Sequence, residues 1–462
     1  MEPAYKETPP PEYKEWKQAT PMEGVIRGKW WEIYHDPALN RLEEQVAISN
    51  QNVLLAEAQF REARAAIKVA RSNLFPTLAA SPSASYSGAS SSLGPGQISS
   101  ANTVAAGGSG GGVRQFYTLP FDLTWQMDLW GSIRRGVSAA AETAQASAAQ
   151  LENARLAYQA QLAEDYFSMH GLDSQQKLLQ DSVNLYTQYL NLTEFQLRQG
   201  TASGATVALA RTQLESTRAQ LIGVGVQRAQ YEHAIAILIG KPPAELTLPH
   251  VPSVAPPPGV PVGIPSQLLE RRPDISAAER QVAAANEQIG IAKAAYFPAF
   301  TLTGSGGLES STLAQWLTWP SRFWALGPQF AETILDFGRR RGTVRETEAA
   351  YDAAVANYRQ TVLNAFQQVE DNLAASRILE QQAAAEHRAV EAAQTSLNVT
   401  TDQYKQGLVD YLQVITAQTA LLGDQVAEIG VLTNRALASV MLVEALGGGW
   451  SASDLPTPGQ LR

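Results

Sequence analysis

The sequence predicts an α+β chain built as two tandem copies of one elongated unit, each a helix, a β-hairpin, a very long helix and a return helix. Three observations predict it. First, Gly131 to Gly200 holds no proline and only two interior glycines, Gly136 and Gly171, and is dominated by Ala, Gln, Glu, Leu and Arg, strong helix formers. Its Leu172, Leu179, Val183, Tyr186, Leu190 and Leu197 recur at steps of seven, four and three, one apolar seam on a single rod. At 1.5 Å per residue that rod is roughly 100 Å long, too long for a compact domain. Second, Thr343 to Gln406 repeats the pattern. Third, a stretch of period-two alternation precedes each rod.

Taken in order, residues 1–29 form an extended arm rich in Pro, Lys and Glu, with Pro9, Pro10 and Pro11 in a row. The first repeat covers residues 30–240. Trp30 and Trp31 lead to Asp36-Pro37, a helix start. Leu39, Leu42, Val46, Val53, Phe60, Ile67 and Leu74 then set a helix over 38–74. Phe75-Pro76 ends it, because the residue before a proline is pushed out of the helical region. Strands follow over 77–88 and 114–130, separated by a Gly/Ser tract. In the second strand Tyr117, Leu119, Phe121, Leu123, Trp125, Met127 and Leu129 point one way, while Thr118, Asp122, Thr124, Gln126 and Asp128 point the other. Pro82 and Pro120 interrupt the two runs and mark edges or bulges. The long helix spans 131–199, the tip is Gly200-Thr201-Ala202-Ser203, and the return helix spans 205–239.

A Pro/Val-rich connector, 241–264, leads to the second repeat, 265–450. Here the helix is 266–296, closed by Phe297-Pro298 as Phe75-Pro76 closes the first. Strands span 299–308 and 323–336, with Trp316 and Trp319 in their loop. The long helix is 343–406 and the return helix 411–446, with Gly447-Gly448-Gly449 capping it and a tail over 451–462. Phe337-Gly338 matches Trp130-Gly131, Arg341 matches Arg134, and Gln406-Gly407 matches Gln199-Gly200.

Composition narrows the function. The net charge is −9 and no basic run occurs, which argues against a nucleic-acid partner. With no cysteine, disulfides, thiolate metal sites and cysteine nucleophiles are excluded. No uninterrupted apolar run reaches the roughly 18 residues of a membrane helix. Met1-Glu2-Pro3 lacks a signal peptide and fits a mature or engineered start.

Four strands with one apolar face cannot bury that face on rods that leave in the opposite direction. Nor can four strands close a barrel, which needs about eight, and an open edge invites aggregation. Several chains contributing four strands each to one shared barrel solve both problems. The apolar face then meets lipid and the Thr/Ser/Asp/Gln face lines a wet lumen. Tyr117, Trp125, Trp316, Trp319 and Trp324 suit the interfacial belts of such a barrel.

Four motifs carry a resemblance: Trp30 to Pro37, Pro265 to Ile275 with its Glu270-Arg271-Arg272-Pro273-Asp274, Ala295-Tyr296-Phe297-Pro298, and Ala445 to Trp450. Together, over about Tyr5 to Trp450, the chain resembles the outer membrane factor family, the TolC-like and more closely OprM-like channels of Gram-negative multidrug efflux pumps. The resemblance implies a homotrimer with a 12-stranded barrel in the outer membrane, continued by a long α-helical barrel across the periplasm. It implies two protein partners, a periplasmic adaptor and an inner-membrane pump of the resistance-nodulation-division type, and outer-membrane lipid. The channel itself does no chemistry and takes no cofactor. By the same resemblance, Gly200, Thr201, Ala202 and Ser203 with Gly407, Leu408 and Val409 are the adaptor-contact tips, and Tyr404, Asp410, Leu412 and Thr416 form the periplasmic gate. Thr416 stands where the family often carries an aspartate, which puts an acidic ring there in doubt while leaving an apolar Leu412 ring. Read without the family, a glycine at a rod end caps any helical hairpin and Leu412 equally suits seam packing. Family members usually begin the mature chain with a lipid-bearing cysteine; with none here, either the anchor has been removed or this member does without it.

Competing motifs are weak. Gly107-Gly108-Ser109-Gly110-Gly111 fits a G-x-S-x-G pattern but sits in a low-complexity loop. His35, His170, His233, His250 and His387 have no partner at metal-ligand spacing. Glu164-Asp165 and Glu370-Asp371 occupy nearly equivalent places in the rods, but neighbours on a helix diverge, so a solvated or seam-edge role is expected. Within the same fold the alternative is a type I secretion exit duct. From a different class, the alternative is a soluble coiled-coil scaffold, which requires the Tyr117 to Leu129 face to be buried inside one chain.

Overall fold

In the computed structural model, which describes residue 9 and residues 28–88, 113–253, 256–260 and 268–461, two 67-residue helices dominate. The Gly/Ser tract, most of the N-terminal arm, the G-x-S-x-G pattern and Pro265 to Gln267 lie outside the described residues. Helix α1 spans Pro37–Ser49, α2 Gln51–Ser72, α3 Ser132–Arg198 and α4 Gly204–Leu238. The second repeat holds α5 Leu268–Arg271, α6 Pro273–Ala294, a short α7 Leu313–Trp316, α8 Arg339–Lys405 and α9 Tyr411–Ala445. Strands are β1 Thr77–Ala80, β2 Ser83–Gly88, β3 Val113–Met127, β4 Ala299–Ser310 and β5 Arg322–Ala331.

Several boundaries differ from the expected ones for local reasons. The helix expected over 38–74 is two helices. Asn50 is extended (φ −65°, ψ 122°), its Oδ1 accepts from the amides of Asn52 and Val53, and its Nδ2 donates to the Leu238 carbonyl. The helix expected over 266–296 breaks at extended Arg272, just before Pro273. The strand expected over 77–88 breaks at Ser81-Pro82, where Ser81 still donates to the Pro120 carbonyl of β3. The strand expected over 114–130 ends at Met127, and that expected over 323–336 ends at Ala331, because the residues beyond are used to start the rods. Asp128 accepts from the Ile133 and Arg134 amides and the Arg134 guanidinium. Asp336 likewise takes the Gly338 and Arg340 amides and the Arg340 guanidinium, so α8 begins at Arg339 rather than residue 343.

All strands form one antiparallel sheet. β1 and β2 lie in line along β3, β3 pairs with β4 from Tyr117↔Ser310 to Met127↔Phe300, and β4 pairs with β5. The register puts Leu78, Phe121, Leu123, Trp125, Leu302, Trp324, Leu326 and Phe330 on one face and Ser83, Thr118, Asp122, Thr124, Gln126, Thr301, Thr303 and Ser305 on the other. The polar face is internally bonded, with Ser305 donating to Asp122 at 2.6 Å and Ser83 beside Thr118 at 2.8 Å. The apolar face is largely uncovered: Leu78, Phe121, Leu326 and Phe330 are exposed and Trp324 is 82% exposed, while Trp125 is half-buried and Tyr117 buried. It is not buried inside the chain, as the scaffold reading requires.

The rods carry the core. α3 packs on α4, α6 and α2, and α8 on α9 and α6. Trp30, Leu39, Leu162, Tyr166, Ile235 and Val440 form the largest cluster, with Tyr166 donating to the Asp36 carboxylate that also caps α1. By length and composition α9 is apolar enough to be taken for a membrane span, although no uninterrupted apolar run suggests one, and it packs on α8 and α3. Gly171, one of the two interior glycines of α3, explains part of that packing. A Cβ there would lie 2.3 Å from Thr433 Oγ1 of α9. Gly171→Ala therefore destabilises by about 1–3 kcal/mol despite alanine's better helix propensity. Adding Thr433→Ala recovers most of the loss, as read by thermal melting of the detergent-purified protein.

Candidate functional site

Two helical tips lie at the far end of the rods from the sheet. Each long helix ends in a glycine in the left-handed region, Gly200 at φ 74° and Gly407 at φ 76°. The next amides close the same pair of bonds in both. Gly200 donates to the Leu197 carbonyl and Thr201 to Gln196; Gly407 donates to Tyr404 and Leu408 to Gln403. Glycine is favoured because a Cβ is strained at this φ. The tips then diverge. Ser203 caps α4 by accepting from the Thr206 amide, whereas the Asp410 side chain makes no capping bond to α9. Gly200, Thr201, Ser203, Gly407 and Leu408 are exposed, and Ala202 and Val409 are half-buried.

The predicted gate residues do not converge on one surface. Leu412 (56% exposed), Thr416 and Asp410 are exposed, and the Thr416 hydroxyl bonds back to the Leu412 carbonyl one turn before it. Tyr404 instead turns into the bundle. Its hydroxyl donates to Gln196 Oε1 of α3 at 2.9 Å and its ring lies 5.4 Å from that of Tyr411. Tyr411 is buried and also meets Tyr189 at 6.2 Å. Burial and the neighbouring tyrosines push its phenol well above the usual range. Sequence reasoning missed Tyr189, Gln196 and Tyr411; Tyr404 and Tyr411 flank the Gly407 turn on two different helices, so helical spacing carries no signal that links them. Beside the first tip, Gly204, Val207, Ala208, Arg211, Thr212 and Glu215 line an open groove on α4, and Arg211 reaches Glu194 of α3 at 3.0 Å.

The predicted belt residues lie on the sheet and its loop. Trp324 and Trp319 are exposed, with Arg322 seated 4.1 Å over the Trp319 ring. Trp125 is half-buried and donates to the Leu74 carbonyl at the α2–β1 junction. Tyr117 is buried under Trp316, its hydroxyl 2.7 Å from that of Tyr86.

Midway along the rods a cavity of about 420 Å³ is lined by Glu164, Arg272, Asp274, Gln368, Asn372 and Glu444, among others. Glu164 is half-buried and lines this partly open pocket. Its carboxyl is pushed up to about 7 by burial, then by Glu444 and Asp165, and burial raises Glu444 and Asp165 as well. Among the described residues no three His, Asp or Glu side chains come together as metal ligands.

A folded chain that holds a carboxyl above its ordinary value of 4.5 binds more protons than its unfolded form between that value and about 7. Stability falls as pH rises through this window. Glu164→Gln consequently raises the melting temperature at pH 8 by a few degrees and changes it little below pH 4.5. A substitution equally stabilising at both pH values contradicts the assignment.

The family description "Outer membrane efflux protein" matches residues 42–241 and 264–448. The probable efflux pump outer membrane protein TtgC of Pseudomonas putida is 30% identical over 91% of this chain and 85% of its own length. The solved outer-membrane channel OprN superposes with a TM-score of 0.86 at 26% identity, covering 97% of this chain and 99% of that one. The open state of the Neisseria gonorrhoeae MtrE outer membrane channel superposes at 0.83 and 26% identity, covering 99% and 100%. The sheet on its long rods thus has known counterparts, and the chain belongs to the outer membrane efflux protein family.

Proposed function

We propose that this chain is one of three in a homotrimeric exit duct of a tripartite efflux pump, with four strand lines from each copy closing a 12-stranded outer-membrane barrel. The observation that carries this reading is the open sheet. Its two edges, β1/β2 and β5, have no partner strand among the described residues, and its apolar face is largely uncovered. Strand direction alternates across the sheet, so β5 of one copy meets β1 of the next antiparallel and the ring closes without a reversal. Trp324 and Trp319 then sit at the lipid boundary, and Asp122, Thr124, Gln126 and Thr301 line the lumen.

Below the membrane, three pairs of rods continue the wall. The exposed tips and the groove on α4 suit the hairpin of a periplasmic adaptor, and an inner-membrane pump of the resistance-nodulation-division type supplies the energy. The chain contributes a passive route for small molecules and no catalytic group. TtgC is an efflux pump component and MtrE has an open state, which supports a duct that opens and closes. The exposed Leu412 side chains of three copies form the narrowest apolar ring, and the Tyr404–Gln196 bond holds α8 against α3 beside it.

Replacing Leu412 by Ala widens that ring, and adding Tyr404→Phe removes the latch while keeping the ring's packing. In planar bilayers the single variant raises conductance several-fold and the double variant raises it further. Conductance unchanged in both removes Leu412 from the gate. Deleting the tip residues Thr201 to Ser203 abolishes co-purification with the adaptor while leaving the trimer intact.

A further inference from the structure

The two repeats of one chain meet along a seam that has an unfilled equivalent on the outer edges. Within the chain, β3 of repeat 1 pairs with β4 of repeat 2 and α3 packs on α6. Just below the sheet, the Trp130 ring stacks on Phe297, centroids 4.8 Å apart and planes 21° apart, and Trp130 Nε1 donates to the Pro298 carbonyl at 2.7 Å. Two ion pairs continue the seam, Arg135 with Glu287 at 3.1 Å and Arg280 with Glu142 at 3.0 Å. Arg135 lies so close over α6 that a Cβ on Gly290 would be 2.5 Å from its side chain.

The duplication assigns an equivalent to each of these residues. Gly131 and Gly338 both open a rod in the left-handed region, so Phe337 stands for Trp130. Phe75-Pro76 stands for Phe297-Pro298 at the foot of its strand, and Phe60 of α2 packs towards α3 as Val282 of α6 packs towards α8. Phe337 is 93% exposed and Phe75 62% exposed, so the partners stacked inside the chain are both bare at its edges. Phe337 is held at φ 52°, where a bulky residue is strained, and its ring covers nothing in its own chain.

The charges shift by one turn along the equivalent helices. Glu142 and Arg280 become Ala349 and Ala58. The buried alanines Ala139 and Ala283, which lie between the two ion pairs, become Glu346 and Arg61, both exposed. Bulk also changes sides: Arg135 over Gly290 becomes Gly342, with open space above it, and Lys68.

We infer that consecutive copies of this chain join as its two repeats do, with Phe337 of one copy stacked on Phe75 of the next and Arg61 paired with Glu346 beneath them. This rests on the shared-barrel reading and adds to it the residues that set partner and register. The occupant is a second copy because the apolar edge and the charged pair each match a surface of this chain and the intrachain seam supplies the template. A single mode of joining makes the interface head-to-tail, so it propagates round a ring.

The absence of cysteine gives a clean test. Phe75→Cys with Phe337→Cys in one chain, treated with a short bismaleimide in detergent, gives covalent dimers and trimers on denaturing gels. Either single variant gives neither. Trp130→Cys with Phe297→Cys is the control and links within one chain. Independently, Arg61→Glu or Glu346→Arg lowers the temperature at which the oligomer dissociates, and the double exchange restores it. An oligomer in which the control links but the edge pair leaves only monomers overturns this seam and leaves the shared barrel standing. A wild-type chain that remains monomeric in detergent and in lipid overturns both.

Discussion

Everything in this molecule depends on the antiparallel pairing of β3 with β4, the one place among the described residues where the two repeats share backbone hydrogen bonds. That pairing fuses two hairpins into one sheet and leaves β1/β2 and β5 as edges. Unpaired strand amides and carbonyls are tolerable in water and intolerable in hydrocarbon, where each costs several kcal/mol. Under the proposed assembly, a neighbouring chain removes this cost by pairing with each edge. The rods cannot do so, because Asp128 and Asp336 turn both of them away from the sheet at its foot.

The rods obey a different constraint. A helix of 67 residues cannot be stabilised by propensity alone and needs an apolar stripe along its whole length. The stripe changes partner on the way: α3 faces α6 and α2 near the sheet and α4 and α9 further down. Where polar groups are enclosed, they are mostly paired. Arg228 bonds Asp173, Glu232 and the Leu248 carbonyl, while Asp173 also receives the Val251 amide, which ties the connector to α3 and α4. Glu43 is an exception, a buried carboxyl with neither oxygen bonded, and burial raises its affinity for a proton.

Long-period features were legible in the sequence. The rods, the tips at Gly200 and Gly407 and the alternation from Tyr117 to Met127 are each repeated signals that one residue cannot hide. Breaks within elements were not. Asn50 looks like one more polar residue in a helical stripe, and only its contact with the Leu238 carbonyl, far along the chain, shows why the helix stops there. Boundaries near Asp128 and Asp336 shifted because a carboxylate that reads as a wet-face strand residue acts as a helix cap. At the tips, Leu412 and Tyr404 looked alike as gate residues, yet one is exposed and the other is spent on Gln196. Side-chain direction at a helix end depends on which neighbour offers a hydrogen bond, and spacing along one chain does not record that.

The two tips share their glycine turn but differ at the start of the return helix: Ser203 anchors the first amides of α4, and Asp410 leaves those of α9 without a side-chain acceptor. A missing anchor of this kind costs a helix about 1 kcal/mol at its start. The opening turn of α9 is thus the weaker spring of the pair. Thermal fraying, and with it early exchange of amide hydrogens, concentrates at the exposed Leu412 and Gln413 while the companion hairpin stays stiff. Of the two hairpins, the second therefore yields first, by the unwinding of a single turn rather than by the bending of a whole rod.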